Sequence, residues 1–404
     1  MITFLIRRIL QMFVVLILSA IVSYALLYVA PGGPIEQLRA KQQQQGGQQG
    51  AEAIRADDIA RIIARFELDL YMPVRFTRWL IGFPRGPITI GDREFFGDLE
   101  VGCKTPGLVR LRYPDGREEL VEEGCQEAVY LRDLTTRRAT NGILFGDFGV
   151  SQVILRDRPI TTLIMSRLPY TLVLMGTSIL LSILIGIPIG VYSAVRQYSR
   201  FDTIMTTLAF IGSSLPSFFF GILAILLFSV LAQQANLPYL PSGDAVANRN
   251  YTMPVLGTIR AGSFLDMFLH FIMPCSVLTF INIAGWSRFI RGSMLEVLPQ
   301  DYVRTARSKG LRESSVLIGH ALRNALIPFV TLLAGILPAL FGGAIIIESV
   351  FNWPGLGRLL LDALNRNDYT VAMALTFIQI LLLLIGYLLS DILYTVVDPR
   401  IKLT

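Results

Sequence analysis

The chain is short of the residues that carry chemistry. Its 404 residues include three cysteines, two histidines and four lysines. His270 and His320 are far apart and no CxxC occurs, which excludes the usual His/Cys zinc site. No lysine follows a glycine, so the chain has no Gly-Lys-Ser/Thr phosphate cradle. No Ser/His/Asp arrangement fits two such distant histidines. Charge is also scarce, at 16% against the roughly 25% of an ordinary soluble protein. That excludes a disordered chain, a nucleic-acid-binding arm and an ordinary cytosolic enzyme. In their place the chain has 53% hydrophobic residues and a mean hydropathy of +0.55. The composition predicts an all-α polytopic membrane protein.

A membrane span needs about 20 mostly apolar residues, and six runs qualify: Ile9 to Val29, Thr171 to Ala194, Thr203 to Ala232, Met267 to Ile290, Ala325 to Val350 and Ala372 to Val397. Pro216, Pro328 and Pro338 fall inside them, as spanning helices tolerate. The first run is too long for a signal-peptide core and lacks a small-residue cleavage site, so it reads as an uncleaved helix.

The net charge of +6 is not spread evenly. Between Pro31 and Pro169, 19 basic residues balance 19 acidic ones, so the surplus lies elsewhere. Arg7 and Arg8 precede the first run, and Arg196 and Arg200 separate the second and third. Seven basic residues from Arg288 to Arg323 join the fourth and fifth, and Arg400 and Lys402 lie in the tail. Basic residues in short connections mark the cytoplasmic side. Both termini are therefore expected in the cytoplasm, with residues 31–169 outside. Three regions result: a terminus and first helix over 1–30, an external segment over 31–169, and a membrane core over 170–404. Asp391, Glu348 and Asp266 are the few ionisable residues in or near spans; Asp391 is expected to pair with a basic group near the cytoplasmic interface. Ser213, Ser214, Asn282 and Gln379 are polar positions within spans, none of which stands out.

The external segment opens on a Gln/Gly-rich linker from Lys41 to Gly50. Ile59, Ile62, Ile63, Phe66 and Leu70 then recur at helical spacing behind Asp57 or Asp58, and a short helix is expected over Val74 to Ile81. A β-rich stretch follows at about 83–143. Leu108 to Tyr113 alternates, Pro114-Asp115-Gly116 signals a turn, and Glu118 to Val121 returns. That turn brings Cys103 and Cys125 nearly opposite each other, making them a candidate disulfide in a compartment that permits one. Cys275 lies in an apolar run and reads as a packing residue.

The most informative polar segment is 299–324. Pro299 breaks the preceding helix, Asp301 is the expected N-cap, and Tyr302 to Lys309 make two helical turns. Gly310 suits a left-handed C-terminal position, and a second amphipathic helix runs from Glu313 to Asn324. Tyr302, Val303 and Ala306 are expected on the apolar side of this elbow, with Thr305, Ala306 and Gly310 small enough for close approach by a partner. A basic amphipathic helix lying on anionic lipid is the simpler alternative.

Arg304-Thr-Ala-Arg-Ser-Lys-Gly310 resembles the EAA-x-x-x-G loop of ABC importer permeases, in the form found in the dipeptide/oligopeptide/nickel family. Arg304, Thr305 and Ala306 take the EAA positions, Gly310 the glycine, and Ile327-Pro328 the later Ile-Pro. Arg304 and Thr305 depart from the family's Glu and first Ala at these positions. Phe4-Leu-Ile-Arg-Arg-Ile-Leu, Ala30-Pro-Gly-Gly-Pro, Gly146-Asp-Phe-Gly-Val-Ser, Arg167-Leu-Pro-Tyr-Thr, Glu348-Ser-Val-Phe-Asn-Trp-Pro-Gly-Leu-Gly and Asp398-Pro-Arg are similar to the family's segments too. The resemblance covers about 1–82 and 144–402. The stretch at 83–143 has no counterpart and reads as an extra α+β external insertion between helices 1 and 2.

The resemblance implies the six-helix type I importer permease fold in a bacterial or archaeal plasma membrane, with di- or oligopeptides as the default substrate. It implies no catalytic residues, metal or cofactor in this chain. ATP and Mg would be bound by two partner ATPase subunits docking on the elbow at Asp301, Tyr302, Arg304, Thr305, Ala306, Gly310 and Leu311. A second homologous permease and an extracytoplasmic solute-binding protein complete the implied assembly; no nucleic acid is involved. The competing reading, an ion-coupled secondary transporter, calls for buried charged pairs and inverted repeats, and neither stands out in the sequence.

Overall fold

The computed structural model describes residues 2–29, 67–91, 93–112, 118–137, 141–329, 332, 335–342 and 344–397. The 41–50 linker, the helix start at Asp57 or Asp58, the Pro114-Asp115-Gly116 turn and the Asp398-Pro-Arg segment lie outside those residues. In chain order the elements are α1 (Ile2–Val29), α2 (Met72–Ile81), β1 (Ile88–Ile90), β2 (Arg93–Phe95), β3 (Glu100–Arg112), β4 (Glu118–Tyr130), α3 (Ile160–Val195) and α4 (Arg200–Ser214). They continue with α5 (Ser217–Gln234), β5 (Tyr251–Met253), β6 (Gly257–Ile259), α6 (Phe264–Val297) and α7 (Asp301–Ser308). Next come α8 over 313–325, α9 (Ile336–Gly342), α10 (Ile345–Val350), α11 (Leu356–Asn365) and α12 (Tyr369–Val397).

Among the described residues five helices are long and apolar enough to cross a membrane: Thr3–Leu26, Ile160–Val195, Ser217–Gln234, Phe264–Val297 and Tyr369–Ile392. Two of the six expected runs are not continuous helices. The third breaks at Leu215, which is extended (φ −91°, ψ 141°), and restarts as α5 after Pro216. Proline has no N–H and drives the residue before it out of the helical region. The fifth is represented by α9 and α10, with Ala344 outside the helical region between them (φ −97°, ψ 79°), and each of the two is shorter than a full span. The second, fourth and sixth runs are helical and extend past their expected bounds, α3 through its internal Pro169 and Pro188.

The chain divides into two compact units. The first comprises Met1–Leu18, Thr162–Ala363 and Leu375–Thr404. One of its apolar clusters joins Leu174 and Ile179 of α3 to Met273 and Leu278 of α6, Ile347 of α10, Phe351 and Trp353. Trp353 Nε1 donates to the Tyr170 carbonyl at 3.1 Å. α3 and α6 approach closely at Gly190, where a Cβ would meet the Ser287 carbonyl oxygen at 2.6 Å. Gly186 and Gly190, one helical turn apart, form the small-residue surface on which membrane helices pack. A second cluster gathers Ala194, Ile290 and Met294 with Val303 and Ala306 of α7 and Val316, Ala321 and Ala325 of α8.

The second unit comprises Ser19–Thr161 and Leu364–Ala374. β3 and β4 pair antiparallel from Glu100 opposite Tyr130 to Arg112 opposite Glu118, so the return strand is far longer than the Glu118 to Val121 expected. Several register shifts interrupt the ladder, between Cys103 and Thr105 among others. Cys103 and Cys125 are joined by a disulfide, with Cα atoms 5.9 Å apart. Val101, Val129, Leu131, Leu134 and Leu70 make the small core beneath. Arg137 pairs with buried Asp69, and Arg78 with Glu67 at 2.7 Å. α2 starts at Met72, two residues before the start expected, because Pro73 sits in its first turn, where no N–H is needed. Its Phe76 and Trp79 rings each lie 5.3 Å from Tyr24.

Candidate functional site

The elbow is built by the end of α6, then α7, a glycine turn and α8. Asp301 is not the N-cap expected of it. Gln300 holds that position in extended conformation without a side-chain cap bond, and Asp301 begins the first turn. There its carboxylate still favours the positive end of the helix dipole; its side chain is exposed and lies 3.8 Å from Arg304. Val303 and Ala306 are buried at 0% and 5% exposure. Tyr302, expected beside them, is 42% exposed. At 100° per residue it falls on the edge of the face that Val303 and Ala306 define, so it projects outward.

Arg304, Thr305 and Leu311 are also exposed. The Thr305 hydroxyl donates to the Asp301 carbonyl at 2.8 Å. Gly310 closes the turn at φ 76°, and its N–H donates to the Arg307 carbonyl at 2.9 Å. No atom lies within 4 Å of where its Cβ would be, so the requirement for glycine is conformational, not steric. Arg307 bridges the turn to Glu313 through two bonds, Nη2 at 2.8 Å and Nε at 3.3 Å. α8 is not a plain α-helix: Val316–Leu322 is π-helical between α-helical turns at Glu313–Ser315 and Arg323–Ala325.

The elbow therefore presents an outward surface of Tyr302 and Leu311 among Arg304, Arg307, Lys309 and Arg312, held from behind by apolar packing. It holds no pair of groups suited to acid–base chemistry. Among the described residues no group of three or more His, Cys, Asp or Glu is placed to hold a metal.

The carboxylates singled out in or near spans, and Asp202, are each tied down. Asp391 pairs with Arg8 of α1 at 2.7 Å. Asp202 accepts two bonds from Arg291, at 2.7 and 2.9 Å, one from the Tyr198 N–H and one from Thr206; the Arg291 guanidinium holds its carboxyl below the usual carboxylate range. The Asp266 carboxylate accepts the N–H groups of Ala247 and Gly262 and lies 3.1 Å from His270 Nδ1. Glu348, fully buried, accepts from Thr171 at 3.2 Å and from the Arg358 N–H at 2.8 Å, which caps the start of α11.

One junction had no counterpart among the sequence expectations. Asp368, fully buried just before α12, accepts the Ser151 hydroxyl at 2.6 Å and the N–H groups of Gln152, Val153 and Ile154 at 3.2, 2.9 and 3.0 Å. Burial pushes its carboxyl up, but the Ser151 hydroxyl and these N–H groups outweigh burial and hold it below the usual range. Ser151 ends the Gly146-Asp-Phe-Gly-Val-Ser motif, which was the available signal; its partner lies 217 residues away.

The long apolar helices define a polytopic membrane protein. The model of the family described as binding-protein-dependent transport system inner membrane component matches residues 186–403. The chain belongs to this family. It is 41% identical over 288 residues to the oligopeptide transport system permease protein AppB of Bacillus subtilis, covering 71% of this chain and 85% of AppB. It is 39% identical over 273 residues to the dipeptide transport system permease protein DppB of Escherichia coli K12, covering 65% and 78%. It is 40% identical over 260 residues to the glutathione transport system permease protein GsiC of Pectobacterium atrosepticum, covering 64% and 76%. Among solved structures, an inward-facing MetNI methionine ABC transporter is 16% identical with a TM-score of 0.45, over 59% of this chain and 97% of that one.

Proposed function

We propose that the chain is the membrane-spanning permease of an ATP-driven, binding-protein-dependent importer for di- or oligopeptides. It supplies half of the pathway, and a second homologous permease supplies the other half. The observation that carries this reading is the elbow, in a chain of this family: α7 shows its polar edge outward while Val303 and Ala306 anchor it to α6 and α8. Two cytoplasmic ATPases bind ATP and Mg and dock on Asp301, Tyr302, Arg304, Thr305, Gly310 and Leu311; Ala306, expected among the docking residues, is buried behind them and serves as an anchor. Their closure moves the elbow as a rigid body and switches the pathway between outward and inward access. An external solute-binding protein delivers the peptide. In this reading the chain crosses the membrane six times, the interrupted 325–350 run making the fifth crossing. Both termini are cytoplasmic, and the 83–143 insertion lies outside. The peptide assignment draws on the names of AppB and DppB.

The test is purification of the chain from native membranes in mild detergent, with mass spectrometry of its companions, then peptide uptake by the reconstituted complex. Two ATPases and a second permease, with uptake that depends on the binding protein, are expected. A chain that purifies alone and transports without ATP would favour the ion-coupled carrier and refute the proposal.

A further inference from the structure

One cavity, in the first unit, is used by neither the elbow nor the buried carboxylates. It has a volume of about 160 Å³ and lies between α3, α4 and α6, lined by Ile189, Ser193, Met205, Phe210, Ser287 and Arg288 among others. Arg291 also faces it, but Asp202 neutralises Arg291 through two bonds, and the other bonds to Asp202 leave that carboxylate fully occupied. Arg288 has no carboxylate partner among the described residues. Its guanidinium donates to the Ser213 hydroxyl at 3.2 Å and lies 5.7 Å from the Phe210 ring centre. The cavity therefore carries one uncompensated positive charge. An independent sign of a missing occupant is Ser193: it is 2% exposed, it lines the cavity, and its hydroxyl has no hydrogen-bond partner. A buried hydroxyl left unpaired is costly.

We propose that this cavity holds the phosphate group of an anionic phospholipid. A phosphate diester accepts from the guanidinium fork of Arg288 and from nearby hydroxyls at once. The walls suit the rest of such a molecule: Ile189, Met205 and Phe210 are apolar, and the adjoining surface of α4 exposes Ile204, Leu208 and Ile211. Basic pockets between membrane helices bind lipid headgroups in this manner. A free phosphate ion shares the headgroup's chemistry but has no use for the apolar walls. The site requires only that α3, α4 and α6 meet a bilayer, so it stands or falls separately from the peptide reading.

The test uses the full chain with the subunits that accompany it, purified in mild detergent and supplied with phosphatidylglycerol or phosphatidylcholine. Retained lipid per chain is counted by native mass spectrometry. Phosphatidylglycerol should be retained in preference, and Arg288→Gln should lower its retention about fivefold, the effect of one basic residue near a lipid surface. Arg288→Lys, which keeps the charge, should restore part of it. Equal retention by wild type and Arg288→Gln would overturn the site and leave the cavity to water. Retention of phosphatidylglycerol no greater than that of phosphatidylcholine, with inorganic phosphate alone binding in an Arg288-dependent way, would overturn the lipid assignment in favour of the free anion.

Discussion

Replacing Gly310 tests the elbow where its chemistry is simplest. The residue sits at φ 76° with open space where a Cβ would go, so a substitution meets no clash and acts through backbone strain alone. A left-handed conformation costs an ordinary L-residue about 1–2 kcal/mol. Asparagine is tolerated there, and a β-branched side chain is the worst case. Gly310→Asn should therefore change little, Gly310→Ala should cost about 1 kcal/mol, and Gly310→Val about 2 kcal/mol. The last figure corresponds to a roughly 30-fold loss in the share of chains holding the native turn. The assay is uptake and ATP hydrolysis in proteoliposomes containing the whole importer. Uptake per ATP should fall in the order glycine, asparagine, alanine, valine, while the thermal melting of the membrane part stays unchanged. If Gly310→Val transports as the wild type does, the turn does not transmit motion and the coupling role fails.

Other outcomes follow from the packing. Asp368→Asn should loosen residues 150–155 by about 2–3 kcal/mol, the scale of hydrogen bonds to a charged group, read as faster amide exchange there. The Asp368 carboxyl is held below its ordinary 3.8. Its contribution is therefore full above that pH and is lost as pH falls through the folded value, an acid sensitivity the Asn variant should lack. Gly190→Ala should cost about 1–3 kcal/mol by overpacking, since its Cβ would meet the Ser287 carbonyl oxygen at 2.6 Å; Gly292→Ala, with nothing within 4 Å, should melt no lower than the wild type, because alanine favours a helix interior over glycine. Reducing the Cys103–Cys125 bond, which closes a 22-residue separation, should remove about 3 kcal/mol and raise exchange in β3 and β4 but not in α6.

What could be read in advance follows the range of the interactions. Apolar runs, the glycine turn and the basic elbow are local patterns, and Ile160–Val195, Phe264–Val297 and Gly310 reflect them directly. Pro216 was visible, but whether it bends or ends a helix depends on neighbours that re-satisfy the freed backbone; here Leu215 turns extended and the helix ends. Asp301 has the right chemistry for a cap, yet Gln300 takes the place because the chain leaving α6 turns one residue earlier. The π-helical turns at Leu226–Leu231 and Val316–Leu322 follow no composition rule stated for apolar helices. Ser151 with Asp368, and Thr171 with Glu348, are joined across 217 and 177 residues. Such pairs belong to the fold, and no spacing in one sequence announces them.

Two kinds of contact hold α7 in place, and their physics differ. One is ionic: Arg307 to Glu313, with both side chains about half exposed at 43% and 54%. Such a pair contributes about 0–1 kcal/mol and is screened by salt. The other is apolar: Val303, at 0% exposure, sits among Ile290, Met294, Val316 and Ala321. Truncating it to alanine removes two carbons' worth of burial and leaves a cavity, a loss of about 2 kcal/mol. A close-packed contact also transmits displacement directly, because packed side chains resist compression, whereas an exposed ion pair stretches through water. Force from a docked partner should therefore travel through Val303 and Ala306 into α6. Glu313→Gln should leave uptake per ATP near wild type at low and high salt. Val303→Ala should lower it while ATP hydrolysis continues. If the two variants exchange these behaviours, the ionic bridge is the transmitting element and the argument from packing is wrong.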